Sequence, residues 1–504
     1  EIYTLSLHDA LPIYELYPIV FTSLLGLEKL TGERSIFSSR DFSASSTPQV
    51  LLDHQLLPSE EGVILNWDIA EEAFEDGIAR SMFEAYKKLM TRALEEPFWH
   101  SRITDIRSDE DKAVQHAAND TAASIPERSL TEGFIRFSGD GDRIAVVYRG
   151  AEYSYAQLEK HSARYGEMLM RAGVGKRDRV MVQMPKSFEL IAAILAIVRI
   201  GGVYVPMPFD QPESRQLEIF GKCSAKGIIA DGSVATHNSI PRFSAETVRQ
   251  FEGKIVDAEI SGDDLAYIIF TSGSAGAPKG VAITHAAAMN TIAAVNRYLD
   301  LDGTDTLIGL SSVSFDLSVY DVFGALSAGA SLAVPTEAEC IDPAAWLAMC
   351  KAQKVTVWNT VPALMDIFLD NLKAADGSGL RIRDVILSGD WIPMDLFDRL
   401  QKFIPSAKLT SMGGATEASI WSNYFPVEKV EETWRSIPYG YPLPNQFFHI
   451  LDDFGRFLPC GVRGRLNIGG KGLAQGYYNE PELTAEVFRD IGGERKFVDR
   501  KSVV

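Results

Sequence analysis

Short segments rich in valine and isoleucine alternate with longer amphipathic stretches from about residue 127 to residue 498. RVMVQM (residues 179–184) is followed by SFELIAAILAIVRIGG, and KVTVWNTVP (residues 354–362) by ALMDIFLDNL. Short buried strands that alternate with helices build a parallel or mixed sheet covered by helices. The pattern therefore predicts an α/β fold for this part of the chain.

A shorter α/β segment precedes it, over residues 14–105. Apolar runs such as YPIVFTSLLGL and GVILNWDIAEEAF lead into a stretch whose apolar residues fall at helical spacing, at Met82, Tyr86, Leu89 and Leu94. Residues 106–126 are polar and have no apolar period, which is typical of a linker. We expect three parts: residues 14–105, a linker over 106–126, and a large domain over 127–498.

The two ends do not resemble the rest of the chain. If residues 7–13 are encoded CTA CAC GAC GCT CTT CCG ATC, the reverse complement translates as DRKSVV followed by a stop, and DRKSVV is the sequence of residues 499–504. Both ends thus resemble one short adapter DNA read from opposite strands. We expect residues 1–13 and 499–504 to be artefacts that flank a fragment of a longer protein.

Charge and cysteine content exclude several classes of protein. With 49 Lys+Arg against 68 Asp+Glu the net charge is −19, which disfavours nucleic acid and anionic membranes as partners. The four cysteines form no CxxC pair, so neither a disulfide scaffold nor a structural zinc site is expected. The longest apolar run, residues 190–198, is far below the roughly 20 residues that span a bilayer. These features predict a cytoplasmic protein.

The most informative local motif is YIIFTSGSAGAPKGVAITH, residues 267–285. A buried strand leads into a loop of hydroxyl residues and glycines, followed by Lys279. Such a loop lets backbone amides approach phosphate oxygens, and the lysine adds positive charge. It is not a Walker loop, and a plain surface loop is the alternative.

This loop resembles the phosphate loop of adenylate-forming enzymes, and four further motifs follow that family's order. They are KSFELIAAILAIVRIGGVYVPM (186–207), FDLSVYDVFGALSAGASLAVP (315–335), GGATEASIW (413–421) and GRLNIGGKGLAQGYYNEPELTAEVF (464–488). The resemblance is closest to the adenylation domains of nonribosomal peptide synthetases. It implies the large subdomain of that fold, with mixed sheets, helices and a small β-barrel.

The resemblance also implies a site for ATP and Mg²⁺. Lys279 and Glu417 would be catalytic, and Glu417 would hold the metal. The nucleotide would be bound by Thr271, Ser272, Gly273, Ser274, Gly276, Lys279, Gly389, Asp390, Gly414, Ala415, Thr416 and Glu417. One departure is that Gly413 stands where the family often has tyrosine.

The same resemblance implies an amino-acid pocket in which Asp316 pairs with the substrate ammonium. The lining residues would be Asp316, Leu317, Tyr320, Asn359, Ile386, Ser388, Met412, Ile420 and Trp421. This set resembles cysteine-activating pockets, since bulky side chains leave room for a short substrate and Met412 suits sulfur. Taken singly, Leu317, Ile386 and Ile420 are more typical of an ordinary core than of a substrate pocket.

FTSLLG, TPQVLLDHQ and NWD, within residues 21–68, resemble the C-terminal end of heterocyclization domains. These are relatives of condensation domains, with a chloramphenicol-acetyltransferase-like fold, that turn Cys, Ser or Thr into azoline rings. The resemblance makes Thr22 and Asp53 candidates for the cyclodehydration step. Asp68 is a rival, although an aspartate before a helix commonly serves as an N-cap.

Together these features predict a fragment of an enzyme that activates an amino acid as aminoacyl-AMP, and they favour L-cysteine as that amino acid. The acyl group would pass to a phosphopantetheine thiol on a carrier domain outside this chain, and the upstream heterocyclization domain would form a thiazoline. The family's ribose-binding aspartate, catalytic C-terminal lysine and small subdomain are not in the sequence, so we expect weak nucleotide binding and little catalysis. A stand-alone acyl- or aryl-CoA ligase and a non-catalytic remnant are the alternatives.

Overall fold

The computed structural model describes residues 18–23, 25, 50–59, 62–74, 76–100, 105, 107–125, 129–231, 241–255, 257–272, 277–373 and 377–503. The chain forms two compact units. The first comprises Glu1–Gln115, Ile450–Gly464 and Val503–Val504, and the second comprises His116–His449 and Arg465–Ser502. Both combine strands and helices, as the sequence predicts.

A three-stranded sheet and two helices make up most of the first unit. The strands are β1 (Ile19–Ser23), β2 (Leu52–Ser59) and β3 (Gly62–Ile69), and the helices are α1 (Ile78–Ala93) and α2 (Asp109–Ala118). β1 pairs with β2 in parallel, and β2 pairs with β3 antiparallel. His54 of β2 accepts a hydrogen bond from Trp67 at Nδ1 (2.8 Å) and lies 3.0 Å from the Tyr86 hydroxyl at Nε2, which ties the sheet to α1.

The segment that the sequence suggests is a linker carries helix α2. Asp111 is buried and accepts hydrogen bonds from Ser81 (3.3 Å) and from the backbone N–H of Cys460 (2.9 Å). Farther along, within the second unit, Asn119 exchanges two hydrogen bonds with the backbone of Phe448, at 2.9 and 2.8 Å. The segment lacks an apolar period because polar side chains fix it in place, which hydrophobic periodicity does not register.

Twelve further α-helices and twenty further strands follow α2 in the part of the chain that the structure describes. The helices are α3 (Glu132–Ile135), α4 (Tyr155–Arg171), α5 (Phe188–Arg199), α6 (Glu213–Cys223), α7 (Ala245–Val248), α8 (His285–Leu299), α9 (Leu317–Val319), α10 (Ala325–Ala328), α11 (Pro343–Ala352), α12 (Pro362–Asn371), α13 (Leu396–Phe403) and α14 (Pro481–Val487). The strands are β4 (Ile144–Tyr148), β5 (Ala151–Ser154), β6 (Arg179–Gln183), β7 (Val203–Pro206), β8 (Gly227–Ala230), β9 (Arg242–Phe243), β10 (Leu265–Ser272), β11 (Pro278–Thr284), β12 (Thr306–Ile308), β13 (Ser331–Val334), β14 (Val357–Thr360), β15 (Asp384–Leu387), β16 (Lys408–Gly413), β17 (Asn423–Val427), β18 (Tyr441–Pro442), β19 (Gln446–Leu451), β20 (Gly464–Gly470), β21 (Gly476–Tyr477), β22 (Phe488–Ile491) and β23 (Glu494–Val503).

These strands form three sheets. One has the order β21-β11-β10-β7-β6-β8-β9, one the order β18-β17-β16-β15-β14-β12-β13-β4-β5, and one the order β19-β20-β23-β22. The expected small β-barrel is wrong for the described part of the chain, because the four-stranded sheet has two different end strands there. A barrel requires those end strands to pair with each other.

The nine-stranded sheet sets the position of the candidate site. β14, β15 and β16 lie side by side in parallel, with Asn359 beside Ile386 and Ile386 beside Thr410. A core that includes Trp346, Trp358 and Phe368 is buried against this sheet. Because parallel strands end at the same edge, residues near their carboxyl ends lie close together and can form a pocket.

We predict that His285, the first residue of α8, makes stability depend on pH. Its side chain is buried, its Nδ1 accepts a hydrogen bond from the backbone N–H of Leu130 (3.2 Å), and burial lowers its pKa to about 4. The unfolded histidine binds a proton near pH 6.5 and the folded one does not. Stability present above pH 6.5 is therefore lost as pH falls towards 4, by about 3 kcal/mol.

Urea unfolding at pH 7 and at pH 4.5 measures this loss. His285→Gln can still accept the Leu130 hydrogen bond but does not titrate, so it should unfold with a smaller difference between the two pH values. His116→Gln, at an exposed position of α2, is the matched control and should keep the wild-type difference. An unchanged difference in His285→Gln contradicts the assignment.

Candidate active site

The predicted phosphate motif forms a hairpin of β10 and β11. Thr271 lies directly opposite Lys279 in this antiparallel pair, so a hydroxyl and a cation lie on neighbouring strands at the end of the hairpin. Gly273, Ser274 and Gly276 lie outside the described residues, as does the side chain of Ser272. The described part therefore shows the two strand ends that hold the loop.

Lys279 and Glu417 are linked through Tyr477. The Lys279 ammonium lies 5.3 Å from the centre of the Tyr477 ring, and the Tyr477 hydroxyl donates a 2.6 Å hydrogen bond to Glu417 Oε1. The backbone N–H of Ala474 also donates to the Glu417 carbonyl at 2.8 Å. A cation over an aromatic ring and a charge-assisted hydrogen bond are both favourable contacts. Three motifs that are far apart in sequence thus contribute to one charged cluster.

This cluster fits a Mg²⁺ ion that arrives with nucleotide phosphates. Glu417 contributes one carboxylate, and the described residues contain no group of three or more His, Cys, Asp or Glu able to hold a metal by themselves. Mg²⁺ is commonly bound by one or two carboxylates together with substrate phosphates and water. Glu417 is therefore suited to a metal shared with ATP and not to a cage built only of protein.

Three glycines shape the expected nucleotide surface. Gly389 has φ +86°, a conformation that favours glycine, and Asp390 after it is exposed and accepts a hydrogen bond from the N–H of Trp391 (2.8 Å). A Cβ at Gly414 would lie 2.8 Å from the backbone nitrogen of Ser422. A Cβ at Gly413 would lie 2.9 Å from Asn423 Oδ1 and 3.0 Å from Tyr439. The space beside Gly413 is thus occupied by Asn423 and Tyr439 in this structure.

The predicted amino-acid pocket is assembled from three places in the second unit. The first is the set of strands β14, β15 and β16, in or directly after which Asn359, Ser388 and Met412 lie. The second is the segment around α9, and the third is the turn that leads to Trp421. Asn359 donates to the Leu317 carbonyl at 3.4 Å. All the predicted lining residues except Asp316 are buried: Leu317, Tyr320, Asn359, Ile386, Ser388, Met412, Ile420 and Trp421.

Trp421 joins two sides of this set. Its indole N–H donates to the Ser388 hydroxyl at 2.9 Å, and its ring lies 5.0 Å from the Tyr320 ring. The turn before it is strained, because Ser419 and Ile420 both have positive φ, at +59° and +70°. Thr291 donates to the Ser419 carbonyl at 2.8 Å and so helps to hold this turn. Residues in such strained positions cluster at functional sites.

Asp316 connects the pocket to the charged cluster. It is part-buried before α9, and burial raises the pKa of its carboxyl to about 6. The nearby Thr416 side chain lowers that pKa, and the charge of Glu417 raises it. A ligand ammonium beside Asp316 would further favour the ionised form. The arrangement places the Asp316 carboxyl, the expected partner of a substrate amine, near the turn that carries Glu417, the expected metal ligand.

In the first unit the structure also brings Thr22 and Asp53 together. The Thr22 hydroxyl donates to Asp53 Oδ1 at 3.2 Å. Gln55 Nε2 donates to Asp53 at 2.9 Å and to Asp68 at 3.2 Å, so one amide bridges two carboxylates. Asp68 lies in β3 directly opposite Asp53. The N-cap interpretation of Asp68 is wrong, because the next helical turn begins after Ala70.

Residues 136–478 match the family model described as AMP-binding enzyme. The chain belongs to this family. Its members are ATP-dependent adenylate-forming ligases, so the predicted enzyme class is confirmed. In the described part of the chain, no helix is both long and apolar enough to cross a membrane.

The similar proteins are nonribosomal peptide synthetases and related synthases. Bacitracin synthase 1 of Bacillus licheniformis is 37% identical over 479 residues, which cover 94% of this chain and 9% of that protein. Phenyloxazoline synthase MbtB of Mycobacterium sp. (strain MCS) is 36% identical over 493 residues, covering 96% of this chain and 42% of that protein. The chain thus spans less than half the length of these relatives.

A solved structure agrees. The crystal structure of the nonribosomal peptide synthetase FmoA3 matches with a TM-score of 0.91 and 34% identity, over 96% of this chain and 53% of that one. Its AMPPNP-bound form matches with a TM-score of 0.90. The predicted α/β fold and the resemblance to adenylation domains are confirmed.

Several contacts at the site were not predicted. Tyr477 lies within the motif of residues 464–488, but nothing in the sequence pairs it with Glu417. Gln55 lies two residues after Asp53, a spacing that puts both side chains on one face of a strand. This spacing could have indicated the hydrogen bond between them. Asp321 follows Tyr320 in a helical segment, and its contact with Asn359 depends on a strand 38 residues away.

We predict that Tyr477→Phe weakens Mg²⁺–ATP binding roughly tenfold, because the ring under Lys279 remains but the hydrogen bond that orients Glu417 is lost. Titration of the chain with ATP in the presence and absence of Mg²⁺ measures this. ATP alone should bind the variant nearly as well as the wild type. Tyr478→Phe, at the next position, is the control. Equal loss with and without Mg²⁺ would argue against a role through Glu417.

Proposed function

We propose that this chain is part of a nonribosomal peptide synthetase module that activates an amino acid. The carboxyl group of the amino acid attacks the α-phosphate of ATP, pyrophosphate leaves, and aminoacyl-AMP forms. The aminoacyl group then passes to the phosphopantetheine thiol of a carrier domain, and AMP leaves. The observation that carries this proposal is the Asp316 carboxyl, part-buried beside the predicted lining residues and close enough to Thr416 and Glu417 for both to affect its pKa.

The residues divide the work of this reaction. Asp316 binds the α-ammonium group and so fixes the orientation of the amino acid. Lys279 and Thr271 lie at the hairpin where the phosphates bind, and Lys279 offsets negative charge that builds up as pyrophosphate leaves. Tyr477 holds the Glu417 carboxylate in place. When bound, Mg²⁺ would supply further charge neutralisation at the phosphates.

We propose L-cysteine as the amino acid. The bulky rings of Tyr320 and Trp421 are buried and pack against each other, with ring centres 5.0 Å apart, and such crowding favours a short substrate side chain. Met412 offers a polarizable surface that suits sulfur, and the polar groups of Asn359 and Ser388 can orient a thiol. The strands before this domain carry the heterocyclization-like motifs, which independently call for Cys, Ser or Thr.

We further propose that the first unit belongs to a heterocyclization domain that forms a thiazoline. In cyclodehydration the side-chain sulfur attacks the amide carbonyl and a C–S bond forms. The thiol proton and the amide N–H proton end up on the former carbonyl oxygen, the C–O bond breaks, a C=N bond forms and water leaves. Protons must move to that oxygen, and Asp53, hydrogen-bonded to Thr22 and Gln55, is suited to move them. One similar relative is named a phenyloxazoline synthase, and an oxazoline is the oxygen counterpart of a thiazoline.

An acyl- or aryl-CoA ligase is the rival within the family. Such a substrate has no α-ammonium group, and an unpaired carboxylate in its pocket would cost free energy. Asp316 therefore favours an amino acid. A non-catalytic remnant predicts no specific nucleotide affinity, which ligand binding distinguishes directly.

Binding of sulfamoyl-adenosine analogues, which mimic aminoacyl-AMP, tests the substrate. We expect the cysteinyl analogue to raise the melting temperature of the chain more than the leucyl or phenylalanyl analogue. Asp316→Ala should weaken binding of the cysteinyl analogue at least tenfold, because the ammonium loses its partner. Asp398→Ala, at an exposed carboxylate of α13, is a control for general loss of charge. A maximum for a large side chain, with cysteine at background, would defeat the cysteine assignment.

Ring formation tests the heterocyclization proposal in the full synthetase. Asp53→Asn and Thr22→Val should lower thiazoline formation at least a hundredfold while the uncyclised amide still accumulates, since amide formation does not need this proton transfer. Thiol-reactive labelling and mass spectrometry of the product distinguish ring from open amide by the loss of one water. Full cyclization in both variants would remove Thr22 and Asp53 from the mechanism.

A further inference from the structure

Asp321 is a buried carboxylate that contacts the amino-acid pocket from behind. It lies in a π-helical turn, Tyr320–Gly324, between α9 and α10, and is 2% exposed. Asn359 Nδ2 donates a 2.8 Å hydrogen bond to Asp321 Oδ1 and a longer one, 3.4 Å, to the Leu317 carbonyl. π-turns inside helices are frequent at functional sites.

These two contacts fix which way the Asn359 amide faces. A carboxylate and a carbonyl can only accept, so the amide NH₂ must face them and Oδ1 must face the other way. Asn359 is 1% exposed, and its Oδ1 has no hydrogen-bond partner among the described residues. A buried, unsatisfied amide oxygen costs free energy, which a hydrogen-bond donor from a ligand would recover.

A buried lysine stabilises the charge on Asp321. Lys186 is 7% exposed and its Nζ donates to the Gly309 carbonyl at 2.7 Å. Burial raises the pKa of Asp321 to about 7, while the Asn359 hydrogen bond and the positive charge of Lys186 lower it. The other titratable groups near this pair are Tyr320, which precedes Asp321, and Cys340 and Glu337, which face Lys186.

We propose that Asp321 is a positioning residue that sets the polarity of the Asn359 amide, so that the pocket selects amino acids whose side chain donates a hydrogen bond. With Asp321 ionised, Asn359 presents an oxygen to the substrate and favours S–H or O–H. With Asp321 protonated, its O–H can donate to that oxygen, the amide can turn, and the pocket presents NH₂ instead. This inference rests on the proposed function, because it assumes that the pocket binds an amino acid.

The proposal makes a prediction about two substrates of nearly the same shape. Cysteine and 2-aminobutyrate differ in an S–H in place of a CH₃, so shape alone discriminates little between them. A site with an unpaired acceptor rejects the ligand that lacks the donor. Because S–H is a weak donor, we expect roughly tenfold preference for cysteine over 2-aminobutyrate, and a larger preference for serine over the same 2-aminobutyrate.

The experiment measures the affinity of the 504-residue chain for the cysteinyl and 2-aminobutyryl sulfamoyl-adenosine analogues between pH 6 and pH 8. The ratio of the two affinities is the readout, since effects on the nucleotide and the ammonium cancel in it. In the wild type the ratio should be about ten at pH 8 and should fall as pH drops through 7. The seryl analogue, whose hydroxyl does not titrate, should show the same trend.

Two variants test the residues. Asp321→Asn can donate or accept and does not titrate, so the ratio should fall to about two and become independent of pH. Lys186→Met removes the charge that favours ionised Asp321, so the pH midpoint of the ratio should rise. Lys226→Met, an exposed lysine at a surface ion pair with Asp178, is the matched control and should leave the midpoint unchanged.

The outcomes separate the two proposals. If neither analogue binds the wild type, the proposed function fails. If both bind with equal affinity at every pH, or if Asp321→Asn keeps the wild-type ratio and its pH dependence, only the role of Asp321 is overturned. If Asp321→Asn is too unstable to assay, the Lys186→Met midpoint decides: an unchanged midpoint overturns the proposal.

Discussion

The proximity of the Asp316 carboxyl to the Thr416 side chain is the contact on which the proposed site depends. One partner precedes a helical segment of the second unit, and the other begins the turn that presents Glu417. A carboxylate with a raised pKa is costly to bury, and it is tolerable where a hydrogen bond and a cationic ligand favour its charge. In the proposed function, this contact would join amine recognition on one side to phosphate chemistry on the other. The parallel strands β14, β15 and β16 supply the rest of the pocket wall at one edge of their sheet.

The site combines rigid and strained parts. Trp421 is held at both ends, by Ser388 at its indole and by Gln446 at its backbone carbonyl (3.1 Å). The positive φ values of Ser419 and Ile420 show that this turn is maintained by its surroundings and not by local preference. Pockets that hold their shape before the ligand arrives lose less free energy on binding.

The sequence predicts the α/β class and the residues of the motifs well, because strand periodicity and loop chemistry are local. Thr22 and Asp53 were paired from motif position alone, and their side chains are hydrogen-bonded. Tyr477 and Asp321 were not predicted, since their partners, Glu417 and Asn359, are brought near only by the sheets. The expected barrel was wrong in the described residues for a related reason: closure of a sheet depends on strand pairing at its ends, which no single segment encodes.

Helix α2 and the residues after it were also predicted incompletely, because they too are held by contacts with residues far away in the sequence. Its polar side chains predict a linker, yet Asp111 is 3% exposed and accepts hydrogen bonds from several groups. Hydrophobic patterning detects segments that bury apolar area, and it does not detect segments held by buried polar groups.

A crystal structure of the chain with the cysteinyl sulfamoyl-adenosine analogue tests the central claim most directly. The account predicts the α-ammonium nitrogen within hydrogen-bond distance of Asp316, and the thiol among Asn359, Ser388 and Met412. It also predicts the linkage that replaces the phosphate near Lys279 and Thr416. An amino group placed away from Asp316, or a side chain outside the pocket with the nucleotide bound, would contradict it.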